Sequence, residues 1–497
     1  MSNQTFAAVD LGAESGRVIL GTLKENRLHI QEGHRFRTGG VHLGGHFYWD
    51  FLRLWGEIKT GLSHASTQSD GKLRSIALDT WGVDFGLLDR EGDLIGNPFH
   101  YRDLRTQGMP EAVFEQVPRE SVYAQTGNQI MALNSLYQLY AMVQADSPAL
   151  SIAKTFLNMP DLFNYFLTGI RASEFTISST TQCYNPVSKD WAFDLLAALD
   201  IPTHIFGEIV NPGTILGPPQ HALSDELGLQ DTFVIAGAGH DTASAVAAVP
   251  ATSQEYIFLS SGTWSLMGVE LDEPLITAET LRANMTNEGG VENRTRFLKN
   301  IGGLWLMQEC RRHWSGNGFD LSYDQLTQMA ADAASFKSLI NPDDGCFLAP
   351  ADMVSEIQSF CQKTGQSIPE TKGEIVRCIL ESLALTYRSV SDQIDTLTGT
   401  DYPTIHIIGG GSQNKLLNQM TANATQKTVV SGPVEATAIG NILIQAIAMG
   451  EFNSLAEGRE IVRNSFDVEI YEPRDSDRWA EAYQRYLDLR KKNCSVL

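Results

Sequence analysis

The chain has 497 residues, 42% of them hydrophobic and 19% charged, which is globular composition and enough for two large domains or three ordinary ones. Thirty-seven Lys+Arg against 59 Asp+Glu leave a formal charge of -22. That field repels phosphate backbones and excludes a general nucleic-acid binder, although a local nest of backbone N–H groups can still hold a small anion. No apolar run reaches the roughly 18 residues of a membrane helix; the longest, 233–249, is broken by His240-Asp241. The first residues lack the basic start and apolar block of a signal peptide, with Asp10 where that block would fall, so a cytoplasmic protein is expected. The cysteines (Cys183, Cys310, Cys346, Cys361, Cys378 and Cys494) form no CxxC pair, which argues for reduced thiols and against a zinc or iron–sulfur site.

In chain order, residues 5–11 read as an apolar strand ending at Asp10-Leu11-Gly12. Residues 13–17 turn, 18–20 run back, and 28–36 alternate like a third strand. Phe51, Trp55, Ile58 and Leu62 have the spacing of an amphipathic helix, and 75–78 make a further strand ending at Asp79-Thr80-Trp81-Gly82. The pattern recurs in the second half. A strand at 256–259 meets a small-residue turn, Ser260-Ser261-Gly262-Thr263, and returns over 264–269, with a third strand available around Phe297-Leu298. Val376, Leu380, Leu383, Tyr387, Val390, Ile394 and Leu397 step by four and three along one long helix. A strand at Thr404–Ile408, a Gly409-Gly410-Gly411 turn and a helix from about Gln413 follow. The expectation is a duplicated mixed α/β fold, residues 1–245 and 246–497, whose halves meet near 240–255 and hinge on a shared interface.

Three small-residue turns could approach phosphate. Glycines in Gly12–Arg17 free the backbone, and Ser15 and Arg17 can add donors. Asp10 at the strand end could hold Mg²⁺ through water. Ser260–Thr263 occupies the equivalent place in the second half. Gly409-Gly410-Gly411 precedes a helix N-terminus, but without the spacing of a dinucleotide fingerprint. Each could equally be an ordinary tight turn. In Gly239-His240-Asp241-Thr242, Asp241 is placed to accept a proton from a substrate hydroxyl, or to cap the helix that follows.

The segments DLGAESGR, DTWGVDF, YRDLRT, GHDTASAV, LSSGTWSLMG, LKNIGGLW and GGGSQN, in this order, resemble the FGGY carbohydrate kinases of the actin-like ATPase superfamily. The resemblance runs from about residue 5 to 450 and leaves the last 45 residues without a placed motif. It implies two RNase H-like α/β domains around a catalytic cleft, with the sugar on the N-terminal side and ATP on the C-terminal side. Asp241 matches the catalytic base. Ala13, Glu14, Ser15, Gly16 and Arg17 match the first phosphate loop, and Thr263, Gln308 and Gly410 match nucleotide contacts. Gly82, His240, Asp241, Thr242 and Asn300 match sugar contacts; Asp10 (through water) and Asp241 match the Mg²⁺ side. Glu14 departs from the usual neutral residue, so its side chain is expected to point outward.

The implied reaction is ATP- and Mg²⁺-dependent phosphorylation of a ketose. L-rhamnulose is expected; L-fuculose, L-ribulose, D-xylulose or an autoinducer are alternatives within the family. An actin-like ATPase without sugar-kinase activity is the alternative outside it. No nucleic acid or membrane partner is expected, and a monomer is the default. The family also implies that Cys361 and Cys378 form a pair that can be bridged; two reduced thiols are the plainer reading.

Overall fold

The computed structural model describes residues 4–348 and 350–493. The chain packs into two compact units, each made of separate stretches. The first runs to Pro250 and takes in Glu270–Phe297 and Glu435–Phe466; the second comprises Ala251–Val269, Leu298–Val434 and the chain from Asp467.

In the first unit, strands β1 (Gln4–Leu11), β2 (Ser15–Lys24) and β3 (Arg27–Arg37) form an antiparallel meander. A small hairpin, β4 (Gly40–Leu43) with β5 (His46–Trp49), leads into helix α1 (Phe51–Gln68). Asp50 caps α1, accepting a hydrogen bond from the Arg53 N–H at 3.3 Å. The helix buries Phe51, Leu54, Ile58 and Leu62, while Trp55 stays partly exposed. Each such side chain contributes roughly 1.5–3 kcal/mol through removal from water. Strand β6 (Leu73–Thr80) then pairs with β1 in parallel, and the strands Phe233–Ala236 and Thr214–Gly217 complete a six-stranded sheet beyond β6.

Helix Ala436–Ala448 lies on this sheet. Gln445 donates to the Ala7 carbonyl at 3.0 Å and accepts from the Ser75 hydroxyl at 2.7 Å. The helix also packs closely on Asp241–Ala247. Gly440 permits this, since a Cβ there would stand 1.7 Å from the Ser244 carbonyl oxygen.

The second unit is built on strands Trp264–Leu271, Tyr256–Ser261, Thr404–Ile408, Thr428–Ser431 and Glu469–Tyr471, side by side in that order. The first pair is antiparallel and the next two are parallel. Helix Lys372–Thr398 starts with a reciprocal cap between Thr371 and Glu374. Its stripe Val376, Leu380, Leu383, Tyr387, Val390 and Ile394 is buried as the periodicity predicts, with Leu397 only partly so. Within the segment without a motif, helix Ser476–Asn493 packs against this long helix, with the Tyr486 hydroxyl 2.8 Å from that of Thr386.

Five of the cysteines are free thiols, and Cys494 lies outside the described residues. Cys361 and Cys378 are hydrogen-bonded neighbours, and the contact pushes the Cys378 thiol well above its ordinary range. Among the described residues no helix is long and apolar enough to cross a membrane.

Candidate active site

The register of β1 and β6 sets Asp10 beside Asp79, and that of β1 and β2 sets Arg17 opposite Asp10. Arg17 Nη2 donates to Asp10 Oδ2 at 2.7 Å, and Nη1 pairs with Glu435. Arg17 therefore neutralises carboxylates, whatever it contributes to phosphate. Asp79 is fully buried; its Oδ2 accepts from Asn441 Nδ2 at 2.6 Å, and its Oδ1 has no hydrogen-bond partner. Burial, then the neighbouring Asp10 charge, raises the Asp79 carboxyl well above the usual range, against the pull of Asn441.

Asp241 opens helix Asp241–Ala247. His240 occupies the N-cap position and makes no side-chain cap bond, so Asp241 is not the cap; it sits in the first turn. Its side chain is 29% exposed. Desolvation raises its carboxyl, as does Asp10, while His240 opposes the shift. Thr242 Oγ1 donates to Asp241 Oδ1 at 3.1 Å, and His240 Nε2 lies 3.5 Å from the same oxygen.

The loop before it is held from below by the buried Glu174. That carboxylate accepts from the N–H of Gly239 at 3.0 Å, and from Thr176 and Ile177. Thr80 donates its N–H to the Gly239 carbonyl at 2.8 Å. The turn after β6 is thus fastened to the turn that carries Asp241. Gly82 sits in that first turn, with the position of a Cβ 3.2 Å from Thr180 Oγ1. The next residue, Val83, holds φ at +67°, a strained state for a β-branched residue.

Behind Gly82 the rings stack. Trp81 lies on Trp49 with centroids 3.8 Å apart, Trp49 on His100 at 4.1 Å, and His100 on Phe47 at 4.2 Å. Asp84, fully buried, ties the stack together. Its Oδ2 accepts from Trp49 Nε1 at 2.6 Å, Trp81 Nε1 at 3.0 Å and the Tyr101 N–H at 3.2 Å; Oδ1 accepts from Gln138 at 3.0 Å. Burial lifts the Asp84 carboxyl to about 6 despite these bonds, and lowers His100 to about 3. A cavity of about 560 Å³ beside β4 and β5 is walled by Val41, Tyr48, Phe85, Ile95, Phe99 and Met142; none of the expected sugar or phosphate residues lines it.

At the first tip, Gly12 donates its N–H to the Ser15 carbonyl at 3.1 Å, which closes a tight turn over Ala13 and Glu14. Glu14 is exposed, as its charge demands, and Gly16 packs beneath Phe36. In the second unit the tip Gly262-Thr263 is tied to helix Trp305–Gly316: the N–H groups of Leu304 and Trp305 donate to the carbonyls of Gly262 and Thr263 at 2.9 and 3.1 Å. That helix carries Gln308, whose Oε1 is buried and has no partner, an acceptor suited to a ligand donor.

Of the three glycines, Gly409 needs a left-handed backbone (φ +83°) and Gly411 lies against Ser261, which would meet a Cβ at 2.1 Å. A Cβ on Gly410 would meet nothing within 4 Å. Packing explains its two neighbours but not Gly410; close approach of a ligand would. Asn300 is on strand Thr295–Gly302 and belongs to the second unit, whereas Gly82, His240, Asp241 and Thr242 belong to the first. Sequence reasoning missed Asp79, Glu174, Asn441, Glu288 and Arg296; only the Asp79-Thr80 strand end gave a signal.

Residues 5–248 match the N-terminal domain, and 257–449 the C-terminal domain, of the FGGY family of carbohydrate kinases. The chain belongs to the FGGY family of carbohydrate kinases, and is a sugar phosphotransferase; the ATPase without sugar-kinase activity falls with this membership. Among its relatives, the rhamnulokinase of Bacteroides thetaiotaomicron is 48% identical over 491 residues, covering 99% of each chain. That of Oceanobacillus iheyensis is 41% identical and covers 94% of this chain and 98% of its own. In fold, the gluconate kinase of Lactobacillus acidophilus superposes with a TM-score of 0.82 at 16% identity, covering 99% of this chain and 98% of that one. The glycerol kinase of Plasmodium falciparum with ADP gives 0.78 at 13%, over 99% and 98%. The fold is therefore the two-domain mixed α/β architecture of these kinases.

Proposed function

We propose that this chain transfers the γ-phosphoryl group of ATP to the primary hydroxyl of L-rhamnulose, yielding L-rhamnulose 1-phosphate and ADP in rhamnose catabolism. The observation that carries the choice of sugar is the shared name of relatives similar to it along essentially the whole chain. We assign the cytoplasm as its place. Residues 1–245 serve the sugar and 246–497 the nucleotide in this reading.

Asp241 is the base. Both of its side-chain contacts fall on Oδ1, which leaves Oδ2 for the substrate hydroxyl. As the sugar oxygen bonds to the γ-phosphorus, the bond to the leaving ADP oxygen breaks and the proton passes to Asp241. Gly82, His240, Thr242 and Asn300 position the sugar; residues 13–17, Thr263, Gln308 and Gly410 meet the nucleotide.

The carboxylates fit Mg²⁺, a hard cation that takes one or two carboxylates and completes its shell with water and phosphate oxygens. Asp10, through water, and Asp241 would hold it, beside the unpartnered buried Oδ1 of Asp79. When bound, it offsets the negative charge of the transferring phosphoryl group.

A panel of ketoses with ATP, followed by coupled detection of ADP, tests the proposal. The highest kcat/KM should fall on L-rhamnulose. Preference for L-fuculose, L-ribulose or D-xylulose would overturn the choice of sugar.

A further inference from the structure

Behind His240 lies a charged pair that neither the motif reading nor the proposed chemistry uses. Glu288 and Arg296 sit on strands Thr286–Gly289 and Thr295–Gly302, in the stretch that packs with the first unit. The Arg296 side chain is fully buried, and those of Glu288 and His240 are 5% and 7% exposed. Arg296 Nε donates to the Gly289 carbonyl at 2.8 Å, which fixes the guanidinium in place. Its Nη2 lies 3.2 Å from Glu288 Oε2 and 3.0 Å from His240 Nδ1, and Glu288 Oε2 is itself 3.3 Å from Nδ1, the acceptor toward which an Nδ1–H would turn if Arg296 were removed.

A guanidinium has donors only. For the contact with His240 to be a hydrogen bond, Nδ1 must be the acceptor, and the ring proton is then on Nε2. That nitrogen is the one 3.5 Å from Asp241 Oδ1. With the Thr242 hydroxyl on the same oxygen, the carboxylate is held in one orientation.

We propose that Arg296, braced by Glu288, is a positioning residue for phosphoryl transfer: it fixes His240 as the Nε2–H tautomer, so that the imidazole N–H holds Asp241 Oδ1 and turns Oδ2 toward the sugar hydroxyl. The inference rests on Asp241 as the base. Second-layer partners of this kind commonly set the tautomer of a functional histidine.

The test pairs a structural readout with a kinetic one. In protein labelled with ¹⁵N-histidine, long-range ¹H–¹⁵N spectra report which ring nitrogen of His240 carries the proton. Wild type should show Nε2–H. Arg296→Met should shift the population toward Nδ1–H and lower kcat about 10- to 100-fold, a fraction of the effect of losing a positioned base. KM for ATP should stay within about two-fold, since a positioning role acts on the chemical step and not on nucleotide binding. Removing Arg296 alone strands the Glu288 charge, so the double variant Glu288→Gln/Arg296→Met, with both charges gone, is measured beside it and serves alone if the single variant does not fold. A drop in kcat with the tautomer unchanged, or a changed tautomer with kcat intact, overturns the proposal. Asp241→Asn separates the two readings: if it stays active, the base assignment fails, while the tautomer measurement still judges the Arg296 contact.

Discussion

Replacing Asp241 by Asn keeps the shape of the side chain and removes its capacity to accept a proton. The expected outcome is a loss of about 10²–10⁴ in kcat with sugar and ATP affinities within a few-fold of wild type, measured by steady-state kinetics and calorimetry. Near-normal turnover would leave Asp241 a mere first-turn residue of its helix. Asp84 carries a different consequence. Its folded pKa, about 6, lies above that of an unfolded Asp, so the folded state binds the proton more tightly. The stability due to this group is fully present below the unfolded value of about 4, is lost as pH rises through about 6, and is level only above about pH 7. Denaturation of wild type and Asp84→Asn should show wild type losing about 2 kcal/mol relative to the variant from pH 4 to 6. A constant difference would contradict the raised value. At this scale Asp10 stood out in the sequence because it closes an apolar strand, and Asp241 because it follows a small-residue turn at the start of a helix. Asp79's partner was not: Asn441 is 362 positions away, and Glu435 is 418 from Arg17. Nothing local in a sequence encodes such pairings.

Among the elements, the contact between helices Asp241–Ala247 and Ala436–Ala448 depends on Gly440. A methyl group there must push the helices apart, because the Ser244 carbonyl is backbone and cannot rotate away. Gly440→Ala should cost about 1–3 kcal/mol, read as a lower urea midpoint, and should lower kcat as well because the displaced helix carries Asp241. Unchanged stability would mean that the helices separate freely. Gly410→Val makes the opposite case: its side chain enters open space, so the fold should persist while ATP affinity falls far more than sugar affinity in paired titrations. Equal losses would indicate general damage. The meander of β1–β3 was legible from its apolar and alternating runs, and α1 and the long helix Lys372–Thr398 from apolar positions that step by four and three. Helix Ala436–Ala448 was not: it is buried on nearly all sides, so it lacks the polar face that gives a periodic signal. Helix Ser476–Asn493 has partners, in Lys372–Thr398, that only folding supplies.

For the molecule as a whole, the duplication of strand, tight tip and returning strand was readable, and the family followed from the order of the motifs. The interleaving was not. Residues 270–297 and 435–466 pack with the first unit although the second unit's chain surrounds them in sequence, and chain continuity alone suggests one boundary. Metal removal is the corresponding test. If Mg²⁺ serves the transferring phosphoryl group as proposed, chelation by EDTA should stop turnover yet leave the thermal midpoint unchanged, and excess Mg²⁺ should restore activity. A large drop in the midpoint on chelation would show instead that a metal holds the fold together. The charge of -22 does not by itself bar an anionic nucleotide, because a local nest of N–H groups can hold an anion against the overall field.

The stacked pair Trp49 and Trp81 gives the protein an optical property of its own. Two indoles 3.8 Å apart and inclined by 26° are close enough for their excited states to mix. The near-ultraviolet circular dichroism should therefore contain a paired positive and negative band from these two, standing out from the eight tryptophans of the chain. Trp81 adjoins Gly82, so a ligand that settles on that turn tilts one partner and changes the couplet's amplitude, without any label and before chemistry begins.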